Sequence, residues 1–395
     1  MIKITAYTLY KKGSVIMKFI HLSDLHLGKR LYEFSMLEDQ EHILKEILTI
    51  IDSENPDGVM IAGDVYDKPV PPAEAVTLFD SFLVSLAKRR LEVFVISGNH
   101  DSPERIAFGS RIMDAAGIHL SPVYSGKVEP VTLTDSFGEV NVWMLPFVKP
   151  AHVRRFFPEE EIASYTDALG CAVSNMDIDS SKRNLLITHQ FVTGSQRSES
   201  EELSVGGTDN VDASVFEPFD YVALGHLHVP QDCIENRIRY CGTPLAYSFS
   251  EAGTDKSVTV VELGAKGDVS IRKPKLTPRH KLVELTGTYE QVMQRSYYEG
   301  TTWQEDYVRV ILKDEEDIPD GMAKLRTVYH NIMTLDYDNK RTSASQSITG
   351  AKNVREKTPL EHFSELFELQ NNQPMTDEQT AFVSGLIEKI WEGER

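Results

Sequence analysis

Three cysteines in 395 residues, Cys171, Cys233 and Cys241, are too few for a disulfide framework, and none sits at the spacing of a zinc knuckle. Long hydrophobic runs are missing as well. None approaches the roughly 20 apolar residues that span a bilayer, so no membrane association is expected. The opening residues, MIKITAYTLYKKGSVI, scatter lysines without an apolar core and do not read as a secretory signal. Residence in the cytoplasm is the expectation. Basic charge is also in short supply: 41 Lys and Arg face 60 Asp and Glu, a net charge of −19. That excludes a protein coating nucleic acid by charge alone, although local basic patches can still grip a phosphate backbone. No internal repeat or low-complexity tract stands out.

What is present is an ordinary globular composition, 41% apolar and 26% charged, long enough for two or three domains. Regular patterning begins at Met17, and residues 1–16 are expected to be an extension of little structural meaning. Short apolar runs at 18–22, 59–62, 93–96, 185–188 and 221–224 suit strands buried on both faces. Segments 37–51 and 73–91 repeat apolar residues at helical spacing. The alternation predicts an α/β layered domain over 17–271. Its sheets should be mixed, because 240–271 turns to short β-like runs broken by Gly. A basic stretch with two prolines at 272–281 reads as a linker, followed by a small α+β domain at 282–337. Polar residues 338–357 read as a second linker. Two helices are expected within 358–392, started by the capping boxes Thr358-Pro359-Leu360-Glu361 and Thr376-Asp377-Glu378-Gln379.

Chemistry gathers where the apolar runs stop. They end in Ser23-Asp24-Leu25-His26, Gly63-Asp64-Val65-Tyr66-Asp67, Ser97-Gly98-Asn99-His100-Asp101, His189, and Gly225-His226-Leu227-His228. Ligands bind at the carboxyl ends of strands in open α/β sheets, and Gly63, Gly98 and Gly225 are expected to let the backbone turn sharply there. Taken singly, each residue has a plain structural reading. His189 could be a hydrogen-bonded core histidine, and Asp64 a turn or helix cap. Five strand ends that all deliver Asp, Asn or His do not fit five independent structural roles. Oxygen and imidazole ligands without thiolate suit Mn²⁺, Fe or Zn²⁺. Seven such ligands exceed the needs of one ion. Two ions about 3.5 Å apart, sharing one carboxylate, would use them all and clamp a phosphate between them. Phosphoester hydrolysis is the predicted reaction class.

The motifs Asp-x-His, Gly-Asp-x-x-Asp, Gly-Asn-His-Asp, a His after a strand and Gly-His-x-His together resemble the calcineurin-like metallophosphoesterases. The stretches HLSDLHLGKRLYE, IAGDVYDKPVPP, VISGNHDSPERI, LLITHQF, YVALGHLHVPQ and YCGTPLAYSFSE are similar to the branch of double-strand-break repair nucleases. This resemblance runs from Met17 to about residue 392. It implies one metal ion on Asp24, His26 and His228, another on Asn99, His189 and His226, Asp64 bridging, and Mn²⁺ as the favoured metal. His100 would contact the scissile phosphate as general acid or transition-state stabiliser, with Asp101 orienting its ring. The implied activity is 3′–5′ exonuclease and endonuclease cleavage of double-stranded DNA ends and hairpins. The alternative is a phosphodiesterase acting on small nucleotides or a phosphoprotein.

Residues 282–337 look like the family's capping domain. The last two helices place Leu360, Phe363, Leu366 and Phe367 on one face, and Phe382, Leu386, Ile390 and Trp391 on another. In the family such a pair grips an SbcC-like ABC-type ATPase subunit, and the nuclease is a homodimer; a self-packed helical hairpin is the other reading. Residues 356–395 carry nine acidic and three basic residues, a poor DNA surface. Better candidates for a phosphate backbone are Lys29-Arg30, Arg154-Arg155, Lys182-Arg183, Arg237 with Arg239, and the 272–281 stretch. One departure matters. Archaeal and eukaryotic relatives commonly carry His three residues after the bridging Asp, and here that residue is Asp67, so no role of that His carries over.

Overall fold

A computed structural model describes residues 9–10, 16–196, 210–339 and 375–392, with Leu360, Phe363, Ser364, Leu366 and Phe367 between them. The chain divides into two compact units, Met1–Val283 and Glu284–Arg395. Two mixed sheets build the first. One has six strands in the order Val269–Arg272, Thr259–Leu263, Met17–Leu22, Gly58–Ala62, Glu92–Ile96 and Ile118–Leu120. The last four run parallel, while Thr259–Leu263 is antiparallel to both its neighbours. The other sheet has seven strands: Leu9–Tyr10, Val131–Asp135, Gly138–Leu145, Arg183–His189, Tyr221–Gly225, Ile238–Tyr240 and Gln231–Ile234. The expected α/β layered architecture with mixed sheets is the one observed.

Strand periodicity explains the layering. Met17, Phe19, Met60, Ala62, Phe94 and Ile96 of the first sheet share a buried cluster with Met144, Leu185, Ile187, Tyr221 and Ala223 of the second. Each Met, Phe, Leu or Ile among them contributes roughly 1.5–3 kcal/mol when fully buried. The intervening Ile20, Val59, Ile61, Val93 and Val95 point the other way and are equally buried. Hence the runs at 59–62 and 93–96 are apolar at every position, while the run at 18–22 admits the hydrogen-bonded His21. Helix Leu37–Glu54 buries Ile43, Leu44, Ile47 and Ile51, and helix Ala73–Lys88 buries Phe79, Phe82, Leu83 and Leu86. On the second sheet, helix Tyr165–Ser174 packs Ala168, Leu169 and Ala172 with Trp143, Leu186 and Val222. His21 ties the sheets together, its Nδ1 2.9 Å from Tyr221 Oη and its Nε2 3.2 Å from the Leu224 carbonyl. Burial drives its pKa down to about 3, so the ring stays neutral.

Two expectations change. Leu9–Tyr10, in the stretch read as structurally unimportant, pairs in parallel with Leu133 and Thr134 as an edge strand. The 272–281 stretch is bound along the first unit. Leu276 is buried and donates its N–H to the Lys256 carbonyl, and Thr277 N–H donates to Glu46. Its basic side chains meet acids: Arg272 with Glu54, Lys273 with Asp232, Lys275 with Asp255, and Arg279 with Glu38. Those charges are matched within the chain, which weakens this stretch as a phosphate-binding patch.

The second unit contains the three-stranded sheet Leu282–Gly287, Tyr307–Leu312 and Asn331–Tyr337, with the last two parallel. Val308, Val310, Leu312, Leu325 and Tyr329 are buried there. Helix Asp377–Glu392 begins with the expected reciprocal cap: Thr376 N–H donates to Gln379 Oε1 at 2.9 Å, and Gln379 N–H to Thr376 Oγ1 at 3.3 Å. Residues 340–357, the Thr358 capping box apart from Leu360, and the side chains of Ile390 and Trp391 lie outside the described residues. Among the described residues no helix is long and apolar enough to cross a membrane.

Candidate metal centre

Parallel pairing sets the carboxyl ends of the central strands side by side, and the loops that leave them are stitched together. Asp24 N–H donates to the Gly63 carbonyl at 3.0 Å and His26 N–H to the Asp64 carbonyl at 3.0 Å. Gly63 has a left-handed φ of +86°, as expected of a turn. The other two glycines serve closeness instead. A Cβ on Gly98 would stand 2.1 Å from Asp64 Oδ1, and one on Gly225 1.9 Å from the Ala62 carbonyl oxygen. Asp24, His26, Asp64 and His226 themselves take positive φ values of 51°, 44°, 48° and 105°. Each such residue costs about 1–3 kcal/mol, strain that tends to gather at functional sites.

All seven candidate ligands converge, in two groups. Asn99 Oδ1 lies 3.0 Å from both His189 Nε2 and His226 Nδ1. His26 Nε2 and His228 Nε2 face each other at 3.1 Å, and Asp24 offers a carboxylate oxygen within 4.8 Å of donor atoms of both. Asp64 stands between the groups, its Oδ2 3.3 Å from His189 Nε2 and 3.8 Å from His26 Nε2. His189 Nδ1 donates to the Ala62 carbonyl at 2.8 Å, which turns Nε2 inward. Ser23 Oγ and the His226 N–H both donate to Asp24.

Apart from the half-buried Asn99 these groups are buried, and their electrostatics are unbalanced. Burial pushes the Asp24 carboxyl up, reinforced by Asp64. Burial acts on Asp64 in the same sense, but His189, His26 and His100 hold it well below the usual carboxylate range. His189 loses by burial and gains more from Asp64 and Asp24, ending raised to about 9. Burial holds His26 well below the ordinary imidazole value, and its buried Nδ1 has no hydrogen-bond partner. Packed carboxylates, inward-facing imidazole nitrogens and an orphaned ring nitrogen fit a site for divalent cations, which supply the missing positive charge. The donor set suits such ions without any cysteine.

His100 stands at the rim with 19% of its side chain exposed, its Nε2 4.0 Å from Asp64 Oδ2. Its Nδ1 lies 3.1 Å from the main-chain carbonyl of Asp67, an acceptor that puts the proton on Nδ1. The expectation that Asp101 orients this ring is corrected here. The Asp101 carboxylate accepts the main-chain N–H groups of Val65, Tyr66 and Gly98 at 3.1, 2.9 and 2.9 Å, so it braces two loops. Asp67 instead pairs with Lys29 at 2.7 Å.

Sequence reasoning missed several supports. Gln40 donates to the His26 carbonyl at 2.7 Å and to Tyr247 Oη at 2.9 Å, while Tyr247 Oη donates to the Leu25 carbonyl at 2.6 Å. These bonds hold the strained Asp24–His26 turn. Glu251 and Lys256 lie behind His228. No spacing rule flags such residues, because their contacts exist only after folding.

Residues 17–230 match the calcineurin-like phosphoesterase family, and residues 278–371 match a family described as the type 5 capsule protein repressor C-terminal domain. A curated relative from Staphylococcus epidermidis, named as the SbcD component of the nuclease SbcCD, is 31% identical over 96% of this chain and 100% of its own length. Its namesake from Staphylococcus saprophyticus is 33% identical over 81% of this chain and 84% of its own. Among solved structures, a dimetal phosphatase from Danio rerio aligns with 66% of this chain and 97% of its own, with a TM-score of 0.40 and 11% identity. The chain belongs to the calcineurin-like phosphoesterases, metal-dependent hydrolases of phosphoesters, and within them to the SbcD nucleases.

Proposed function

We propose that this protein is a two-metal DNA nuclease that processes double-stranded ends and hairpins together with an SbcC-like ABC-type ATPase. The carrying observation is the placement of Asp64 between two ligand groups, Asp24 with His26 and His228, and Asn99 with His189 and His226. Asp64 would bridge the ions, and Mn²⁺ is the metal favoured by the resemblance. When bound, two divalent ions neutralise the phosphate and bring the pKa of water toward neutrality.

The chain's own residues supply the rest. His100 is the most accessible imidazole of the site, and with Nδ1–H held by the Asp67 carbonyl the ring, when it carries a second proton on Nε2, can give that proton to the leaving oxygen and return to the neutral Nδ1–H form. Asp101 keeps the Val65–Tyr66 and Gly98 segments in place around Asp64. The N–H of His100 donates to Asp64 Oδ1 at 2.9 Å, so general acid and bridging carboxylate are set on one support.

Phe363, Leu366, Phe382 and Leu386 are exposed, which supports docking of the C-terminal helices on a partner. A homodimer and a capping role for 282–337 follow from the resemblance. The test is a nuclease assay of the purified chain on linear duplex and hairpin DNA with Mn²⁺, with and without the ATPase. Cleavage of both substrates, stimulated by the ATPase with ATP, is expected. Turnover of a small phosphodiester with DNA left intact under every condition would overturn the nuclease reading.

A further inference from the structure

Behind His228 lies an ion pair, Glu251 and Lys256, that is 0% and 5% exposed and touches no substrate-facing surface described above. Burying two charges is costly, and apolar residues of similar size often stabilise a fold as well or better. Packing alone is therefore a weak reason for this pair. Apart from the Tyr247 N–H, which donates to Glu251 Oε1 at 3.3 Å, its side-chain contacts lie on His228 and on Thr243 beside it. Glu251 Oε1 lies 3.5 Å from His228 Nδ1. Lys256 Nζ donates to the His228 carbonyl at 2.9 Å and to Thr243 Oγ1 at 2.7 Å. Thr243 in turn donates its N–H to the same His228 carbonyl at 3.1 Å and its hydroxyl to Glu251 at 3.3 Å.

Glu251 thus addresses the ring of His228 while Lys256 and Thr243 hold its main chain. A carboxylate only accepts, so the proton of the neutral ring belongs on Nδ1. Nε2 then keeps its lone pair, directed toward His26 Nε2 at 3.1 Å and the candidate metal position. We propose that Glu251 and Lys256 are positioning residues that fix the tautomer and orientation of His228 and so set the affinity of one of the two metal positions. This rests on the two-ion reading of the site. Carboxylate partners of metal-ligating imidazoles typically change affinity by about 10–100-fold.

The test measures Mn²⁺ binding to the full chain by equilibrium dialysis and electron paramagnetic resonance, with melting curves taken without metal. The informative variant is Glu251→Met combined with Lys256→Met, which removes both charges and leaves neither buried alone. Wild type should bind two ions. The double variant should melt near wild type, bind one ion normally and bind the other about 10–100-fold more weakly. A folded double variant with two wild-type affinities would overturn the proposal and leave the two-ion reading intact. A wild-type chain that binds no Mn²⁺ would overturn both. If the double variant does not fold, ¹⁵N spectra of histidine-labelled wild type decide. An Nδ1–H tautomer at His228 supports the proposal, and an Nε2–H tautomer overturns it.

Discussion

At the scale of single residues, neighbours in sequence carry unlike duties. Asn99, His100 and Asp101 are consecutive, yet Asn99 faces two imidazoles, His100 faces the rim and Asp101 faces three main-chain donors. Replacing His100 with Ala should therefore leave the metal content at two ions while turnover falls roughly 10²–10⁴-fold. Elemental analysis alongside a DNA cleavage assay checks both; loss of an ion would reassign His100 as a ligand. Asp101→Ala should behave differently. Two buried N–H groups and a part-buried one lose their acceptor, so stability should drop by about 3 kcal/mol, visible in denaturant melts before any effect on chemistry is considered. The string Gly-Asn-His-Asp announces a site, but only the path of the backbone tells which of its side chains turn inward.

At the scale of elements, the short strands carry both the core and the chemistry, and their edges carry electrostatics of their own. His119, on strand Ile118–Leu120, stacks on Phe94 at 5.0 Å and pairs with Glu92 and Asp114. Burial disfavours its charge, but the two carboxylates outweigh burial and raise its pKa above 6.5. The folded value is the higher one, so the stabilisation is complete below the unfolded value and is lost as pH rises through the folded one. His119→Phe keeps the stack and removes the pairs. The melting difference between wild type and this variant should be larger near pH 6 than near pH 9, and an unchanged difference would count against the ion pairs.

The C-terminal helix offers a second prediction at this scale. Phe382 is 68% exposed on helix Asp377–Glu392, with Leu386 exposed one turn on. Leu386→Glu or Phe363→Glu should abolish binding of the ATPase partner in a pull-down. The melting temperature and hydrolysis of a small chromogenic phosphodiester should stay near wild type, because no buried position of the isolated chain changes. A large loss of stability with partner binding retained would instead identify a self-packed hairpin.

At the scale of the whole molecule, the site belongs to neither sheet alone. Asp24, Asp64 and Asn99 follow strands of the six-stranded sheet, while His189, His226 and His228 come with the seven-stranded one. Ions held by these residues would cross-link the two layers, and ions that bind only the folded chain stabilise it by mass action, about 2.7 kcal/mol at a hundredfold excess over Kd. EDTA should accordingly abolish hydrolysis and lower the melting temperature together. Mn²⁺ should restore both, and more effectively than Mg²⁺; full activity in excess chelator would end the metal-dependent mechanism.

Residue patterning alone specifies the strands and the types of candidate ligand. A run apolar at every position can only be buried on both faces, and Asp, Asn and His at its carboxyl end have few structural uses in such numbers. It also determined the Thr376 cap, a local bond between residues three apart. Packing of the folded chain settles what depends on long-range closure. It set the glycines at 98 and 225 as points of backbone contact rather than turns. It gave the ring of His100 to the Asp67 carbonyl, turned Asp101 into a brace, and matched the basic 272–281 stretch with distant acids. It brought Glu251 and Lys256 behind His228. Local patterns record periodicity and residue chemistry, whereas these contacts join positions tens to hundreds of residues apart, and their partners exist only once the two sheets have packed.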